Sequence, residues 1–80
     1  MKEKIISLYP DFPKNILKIH PDLTSVELEF CLYIKYNMSD LELAKTLRLR
    51  KKTIDSKKYR LKKKLGLKRK ERLNNYIVKI

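Results

Sequence analysis

Ser39-Asp40-Leu41-Glu42-Leu43-Ala44-Lys45-Thr46-Leu47-Arg48-Leu49-Arg50-Lys51-Lys52-Thr53-Ile54-Asp55-Ser56-Lys57-Lys58-Tyr59-Arg60-Leu61-Lys62-Lys63-Lys64-Leu65-Gly66 is the stretch on which the fold turns. It opens with a capping box: the Ser39 hydroxyl can serve the backbone N–H three residues on, and Glu42 can reach back. Leu43, Ala44 and Leu47 then form the apolar stripe of a helix of only about eight residues, which needs tertiary packing to persist. A turn of about four residues follows. A longer helix runs from Lys51 or Lys52 to Leu65, and Gly66 suits the left-handed residue that ends it. At about 100° per residue, Ile54, Lys58, Leu61 and Leu65 share one side of that helix. Lys58 can lay its aliphatic stem over the core edge and keep its ammonium in water. The opposite side carries Lys52, Ser56, Tyr59 and Lys63, flanked by Asp55 and Arg60.

The flanking sequence repeats the same helical grammar. Thr24-Ser25-Val26-Glu27 is a second capping box. The helix it opens runs to about Tyr36, with Phe30, Cys31 and Ile34 on one face, Leu28 and Leu32 on another, and Asn37 at its end. Upstream, Asp11 can cap a short helix whose first turn holds Pro13 and whose stripe is Phe12, Ile16, Leu17 and Ile19. Pro21 stops it, and His20, before that proline, reads as a turn residue. A last helix is expected over about 70–78, with Leu73, Tyr76, Ile77 and Ile80 available for burial. Strand signals are poor, so the chain reads as all-α, with a lead-in over 1–22 and the main domain over 23–80. Cys31 reads as a small buried hydrophobe, and Leu43, Leu47, Ile54, Leu61 and Leu65 as core.

Eighty residues make one small domain, and their composition excludes several functions. One Gly excludes glycine-rich phosphate loops and dinucleotide fingerprints. One Cys excludes an intrachain disulfide and a Cys-rich zinc site, and one His removes His-pair metal motifs. No cofactor is expected. Four serines and a single His offer no nucleophile with a base and an orienting group at workable spacing, so the chain reads as a non-enzyme. No targeting segment and no apolar run long enough for a bilayer is visible, so the expected location is the cytoplasm.

The charge is unevenly placed. The net charge is +12 at pH 7. Residues 1–40 hold five Lys and Arg against six Asp and Glu, whereas residues 48–72 hold fourteen against two. One-signed charge in a single segment repels itself in a compact fold and suits a polyanionic partner. The start of the Lys51–Leu65 helix points the same way. Arg50 is a poor cap, and Lys51 and Lys52 sit at the positive end of the helix dipole, while the other helices begin on a cap or an acidic first turn. An anion there would satisfy free N–H groups and lysines together. The outward face sets short or flat polar groups (Asp55, Ser56 and Tyr59) among Lys52, Lys57, Arg60 and Lys63. That is the chemistry of a helix lying in a DNA major groove, with readers at the centre and cations on the phosphates.

Leu23-Thr24-x-x-Glu27, Met38-Ser39-x-x-Glu42-Leu43-Ala44-x-x-Leu47-x-Leu49, Lys52-Thr53-Ile54 and Arg60-Leu61-x-x-Lys64-Leu65-Gly66-Leu67 together resemble the LuxR-type (GerE) helix-turn-helix DNA-binding domain over residues 23–78. The lead-in from Phe12 to Thr24 is similar to a branch found at the C-terminus of larger bacterial regulators. The resemblance implies a four-helix domain, here with an additional short N-terminal helix. It implies a recognition helix over about 51–65, base edges faced by Asp55, Ser56 and Tyr59, and phosphates near Lys52, Thr53 and Lys63; the charge pattern adds Lys51, Lys57 and Arg60 to the expected phosphate contacts. It also implies pairing of two copies through the last helix, about 70–79. Asn37 stands where the family has a glycine before the third helix, Arg48 where it often has one in the turn, Arg50 where it has a capping serine, and Lys57 where it commonly has a histidine.

The expected function is therefore sequence-specific binding of double-stranded DNA in bacterial transcription regulation. The alternative is a module like region 4 of a sigma factor, which reads promoter DNA and touches RNA polymerase. A membrane-surface helix fits less well, because Ile54, Leu61 and Leu65 are already needed by the core. A lone outward Tyr is a poor stacking platform for single-stranded RNA.

Overall fold

The computed structural model describes residues 2–80, and among them every regular element is helical. In chain order these are α1 (Lys2–Leu8), α2 (Phe12–Ile19), α3 (Ser25–Lys35), α4 (Asp40–Leu47), α5 (Lys51–Lys64) and α6 (Leu73–Val78). Helix α3 is the hub. Phe30, Cys31, Leu32, Tyr33 and Ile34 are buried in succession, so apolar side chains leave it in every direction. A helix apolar all round must be surrounded. Helices α1, α2 and α6 pack against it, while α4 packs against α5. The core joins Ile5 of α1, Phe12 and Ile16 of α2, Leu43 of α4, Ile54 and Leu61 of α5 with Leu65 just beyond, and Leu73 and Ile77 of α6.

Helices α3, α4 and α5 end alike. A residue one or two positions past each helix lies in the left-handed region: Asn37 at φ 64°, Arg48 at φ 56° and Gly66 at φ 75°. In each case two backbone N–H groups turn back on the last carbonyls. Asn37 donates to Ile34 and Met38 to Tyr33, Arg48 to Lys45 and Leu49 to Ala44, Gly66 to Lys63 and Leu67 to Lys62. This is the Schellman arrangement, and the apolar residue after each left-handed position (Met38, Leu49, Leu67) folds back toward the core. Gly66 meets no steric penalty there, and Asn37 tolerates it, but Arg48 does not escape the clash of its Cβ with the carbonyl. The turn between α4 and α5 is held by those two hydrogen bonds and by Leu49, not by backbone preference.

The starts of α3 and α4 match the capping boxes read from sequence. The Thr24 hydroxyl accepts from the Glu27 N–H at 3.2 Å while Glu27 accepts from the Thr24 N–H at 2.8 Å; Ser39 and Glu42 do the same at 3.2 and 3.1 Å. Other expectations are corrected. Residues 2–8 form a helix where seven residues of mixed polarity gave no periodic signal; the complete burial of Ile5 against α3 supplies what local propensity lacks. Asp11 precedes α2 without a side-chain cap bond, Ile19 is exposed, and Leu47 is only half-buried. The last helix begins at Leu73, not near 70, because residues 68–71 close a turn of their own: the Glu71 N–H donates to the Lys68 carbonyl and its carboxylate accepts from the Lys68 N–H, both at 3.0 Å.

His20 does more than occupy a turn. Its Nε2 lies 2.7 Å from the Tyr76 hydroxyl, edge-on to that ring, and ties the α2–α3 connection to α6. Cys31 is fully buried, and burial, aided by the nearby Glu27 charge, pushes its thiol up to about 12. It therefore remains a protonated hydrophobe at any physiological pH.

Arg48→Gly removes the left-handed penalty at the α4–α5 turn, of roughly 1–2 kcal/mol, and returns part of it as added freedom of the unfolded chain. The expected net is a stabilisation of up to about 1 kcal/mol, read as a higher midpoint in urea with an unchanged slope. A lower midpoint would mean that the arginine side chain supports the turn.

Candidate nucleic-acid interface

Helix α5 is 14 residues long with buried Ile54 and Leu61. Its rotation about its own axis is set by those two, by Leu65, and by two ammonium groups at its flanks. Lys58 Nζ lies 2.5 Å from Asp40 Oδ1 at the start of α4 and 3.3 Å from Asn74 Oδ1 of α6. Lys64 Nζ lies 2.6 Å from Glu27 Oε1 in α3. The expectation of a Lys58 ammonium in water is thus corrected: its stem covers the core edge as read, but its charge is spent joining three helices. Lys64 likewise gives its charge to a second helix, α3. Lys62, the third, donates to the Arg69 carbonyl at 2.9 Å. The acid that meets α5 from α4 is Asp40; Glu42 serves the capping box.

With these cations engaged by neighbouring helices and by the loop after α5, the remaining outward face is a defined set. Lys52, Asp55, Ser56, Tyr59 and Arg60 surround one shallow depression. Tyr59 is 61% exposed, and the Lys63 ammonium sits 4.8 Å from its ring centroid. Such a cation–π contact holds the ring against the helix without hiding its edge. The Ser56 hydroxyl donates to the Lys52 carbonyl at 3.1 Å, which leaves its lone pairs outward as acceptors. Asp55 is also an acceptor. The centre of the face therefore offers acceptors plus one phenol, and the rim offers donors.

Of the residues singled out from sequence, Lys51, Lys52, Thr53, Asp55, Ser56, Tyr59, Arg60 and Lys63 are all exposed. Lys57 is the exception. It is half-buried and lines depressions with Val26, Phe30 and Leu61 on the α3 side, away from the central group. The start of α5 is as read: Arg50 is extended at φ −75°, ψ 153° and contributes no side-chain cap, and the N–H groups of Thr53 and Ile54 both turn to its carbonyl. It is not unique, however. Helix α6 begins on Arg72, also without a side-chain cap or an acidic first turn. What sets α5 apart is the pair of lysines at its first two positions.

Apolar spacing did not point to a second cleft beside the face. Tyr59, Lys62 and Lys63 form one wall of it, and Leu67 and Arg69 of the loop after α5 form the other. The signal in the sequence was the basic run Lys68-Arg69-Lys70, unassigned because an expected helix from 70 blurred where the loop lay.

Among the described residues no group of three or more His, Cys, Asp or Glu side chains could hold a metal ion, and no helix is long and apolar enough to cross a membrane. Compared with family models, curated proteins and solved structures, the chain matches none.

Two measurements probe this geometry without any ligand. Tyr59→Ala should leave the unfolding free energy within about 0.5 kcal/mol of wild type, because the ring is exposed, whereas Ile54→Ala should cost about 2–4 kcal/mol. Equal losses would mean that α5 is rolled the other way. The second concerns acid. Burial draws the Glu27 carboxyl up, but the Lys64 ammonium and the Thr24 backbone and side chain outweigh it and hold its pKa below the ordinary value. A carboxyl depressed in the folded state contributes stability above its unfolded pKa and loses it as pH falls through the folded one. Unfolding followed from about pH 6 to pH 3 should show a loss that is shallower in Lys64→Ala.

Proposed function

We propose that this protein is a sequence-specific binder of double-stranded DNA, acting in bacterial transcription regulation from the cytoplasm and not as an enzyme. In this reading α4 and α5 form a helix-turn-helix of the LuxR-type kind, with α4 as the brace and α5 as the recognition helix. The observation that carries it is the division of labour among the cations of α5: Lys58, Lys62 and Lys64 are spent on contacts within the chain, while Lys52 and Arg60 stay on the face that bears Asp55, Ser56 and Tyr59, and Lys63 stays beside it over the Tyr59 ring. A solubilising helix has no need of that sorting.

The dimensions support the reading. Fourteen helical residues span about 21 Å, and a helix with its side chains is about 10–12 Å across, close to the major-groove width of about 12 Å. Lys51, Lys52 and Thr53 would meet phosphate with their side chains, and the helix-end N–H groups of Lys51 and Lys52 would add to them. Asp55 and the Ser56 lone pairs would accept from cytosine N4 or adenine N6 amino groups, and the Tyr59 hydroxyl would donate to guanine O6 or N7 or to thymine O4. Arg60 and Lys63 would flank on the backbone.

Random-oligonucleotide selection with the whole chain tests the proposal. A recovered sequence motif is the expected result; a palindromic one would mark pairing, for which Asn75 and Val78 remain exposed on α6. Lys52→Ala and Lys63→Ala should each weaken all sequences alike and lower the log–log salt slope by about one, while Tyr59→Ala should relax preference at one position with the slope kept. A flat salt dependence in the wild type, or selection without enrichment, would sink it.

A further inference from the structure

We propose that the cleft between α5 and the loop after it holds one sugar–phosphate unit of the bound duplex, with Arg69 as the phosphate ligand. This rests on the duplex-binding reading and extends it to a contact outside the recognition helix.

The cleft has the two chemistries that such a unit presents. Tyr59 and Leu67 are its apolar surfaces, suited to the face of a deoxyribose, and Lys63 and Arg69 are its cations, suited to the phosphate beside it. Arg69 and Lys63 are both exposed, and Leu67 is half-buried. The loop is held in place before any ligand arrives. The Leu67 N–H donates to the Lys62 carbonyl at 3.1 Å, and the Lys62 ammonium donates to the Arg69 carbonyl at 2.9 Å, so the last turn of α5 grips the loop at both ends of its apolar wall. Immobilised loops bind without the ordering cost that a free loop incurs.

The acid in this region is also withdrawn. Glu71 is the only acidic residue after Asp55. Its carboxylate accepts the Lys68 N–H at 3.0 Å, so it closes the turn of residues 68–71. A loop meant only to keep the protein soluble would gain nothing from being anchored by its own backbone, nor from having its one carboxylate bound to that backbone. Because the anchor on Arg69 is its carbonyl, the side chain is left for a ligand, and substitution of that side chain leaves the anchor intact.

The test uses the whole chain and a duplex of about 20 base pairs carrying the selected motif. Arg69→Ala is expected to lower the salt slope by about 0.9, to remove one or two neighbouring phosphates from the ethylation-interference pattern, and to leave the ranking of sequences unchanged. Arg69→Lys should restore the slope. Lys79→Ala, in a separate depression with Lys70, Arg72 and Tyr76, should change neither the slope nor the pattern. An unaltered slope and a complete pattern in Arg69→Ala, while Lys52→Ala still lowers the slope, would overturn the cleft and leave the recognition-helix reading standing. Absence of salt-dependent binding by the wild type would overturn both.

Discussion

The basic face that this protein presents depends on how α5 is rolled about its axis. Burying Ile54, Leu61 and Leu65 determines the roll to within a turn-face, which for a rod with cations on every side would be a loose constraint. The Lys58–Asp40 and Lys64–Glu27 pairs tighten it. Neither pair is deeply buried, so neither is worth much as an isolated ion pair. Their effect is directional. One ties α5 to α4 and α6, the other ties it to α3, and a rotation that relieved one would stretch the other. An alternative face would need carboxylates placed to receive its own lysines, and the chain has nine acids in all against twenty-one bases.

A second constraint fixes where α5 starts. Three successive helices stop by the same hydrogen-bonding device, yet only one of the three stopping residues is a glycine. The Arg48 turn is the costly one, and it is the turn that sets the angle between α4 and α5. Leu49 explains why the cost is borne: its burial against the core requires the chain to reverse at that residue. Strain in a fold persists where surrounding packing over-determines it. Here the over-determination comes from the packing of Leu49 and from the Arg48 and Leu49 N–H groups, which donate to the Lys45 and Ala44 carbonyls.

Much of the helical grammar could be read from residue types alone. Thr24 with Glu27 and Ser39 with Glu42 announced two helix starts, and Asn37 and Gly66 announced two ends, because capping is local chemistry. The outward face of α5 could be read too, since angular position follows directly from spacing. What could not be read was everything decided across helices. Ile5 makes α1 a helix only because α3 receives it. Ile19 falls at a stripe position but finds no partner. Lys58 lies at an angle that puts its stem on the core edge, as expected, but the carboxylate that takes its charge is eighteen residues away in sequence and three dimensions decide the match. Lys57, equally basic and one residue earlier, turns toward the Val26–Phe30 side and leaves the central group.

The concentration of charge acquires a different meaning once the internal contacts are subtracted. Fourteen bases within residues 48–72 would be a heavy load of self-repulsion for a chain of this size if all pointed into solvent together. Three of them (Lys58, Lys62 and Lys64) are instead turned to oxygen atoms of Asp40, Arg69 and Glu27. Those three are the ones that structure α5 and its loop, and the remainder, half-buried Lys57 apart, are displayed by the structure so made. Repulsion among the displayed cations fits the duplex-binding proposal: an anionic chain lying along them would relieve it, and counterion release would add to that relief. The same residues that repel one another in the free protein are the ones that, in the proposed reading, would gain most from a polyanion of regular spacing.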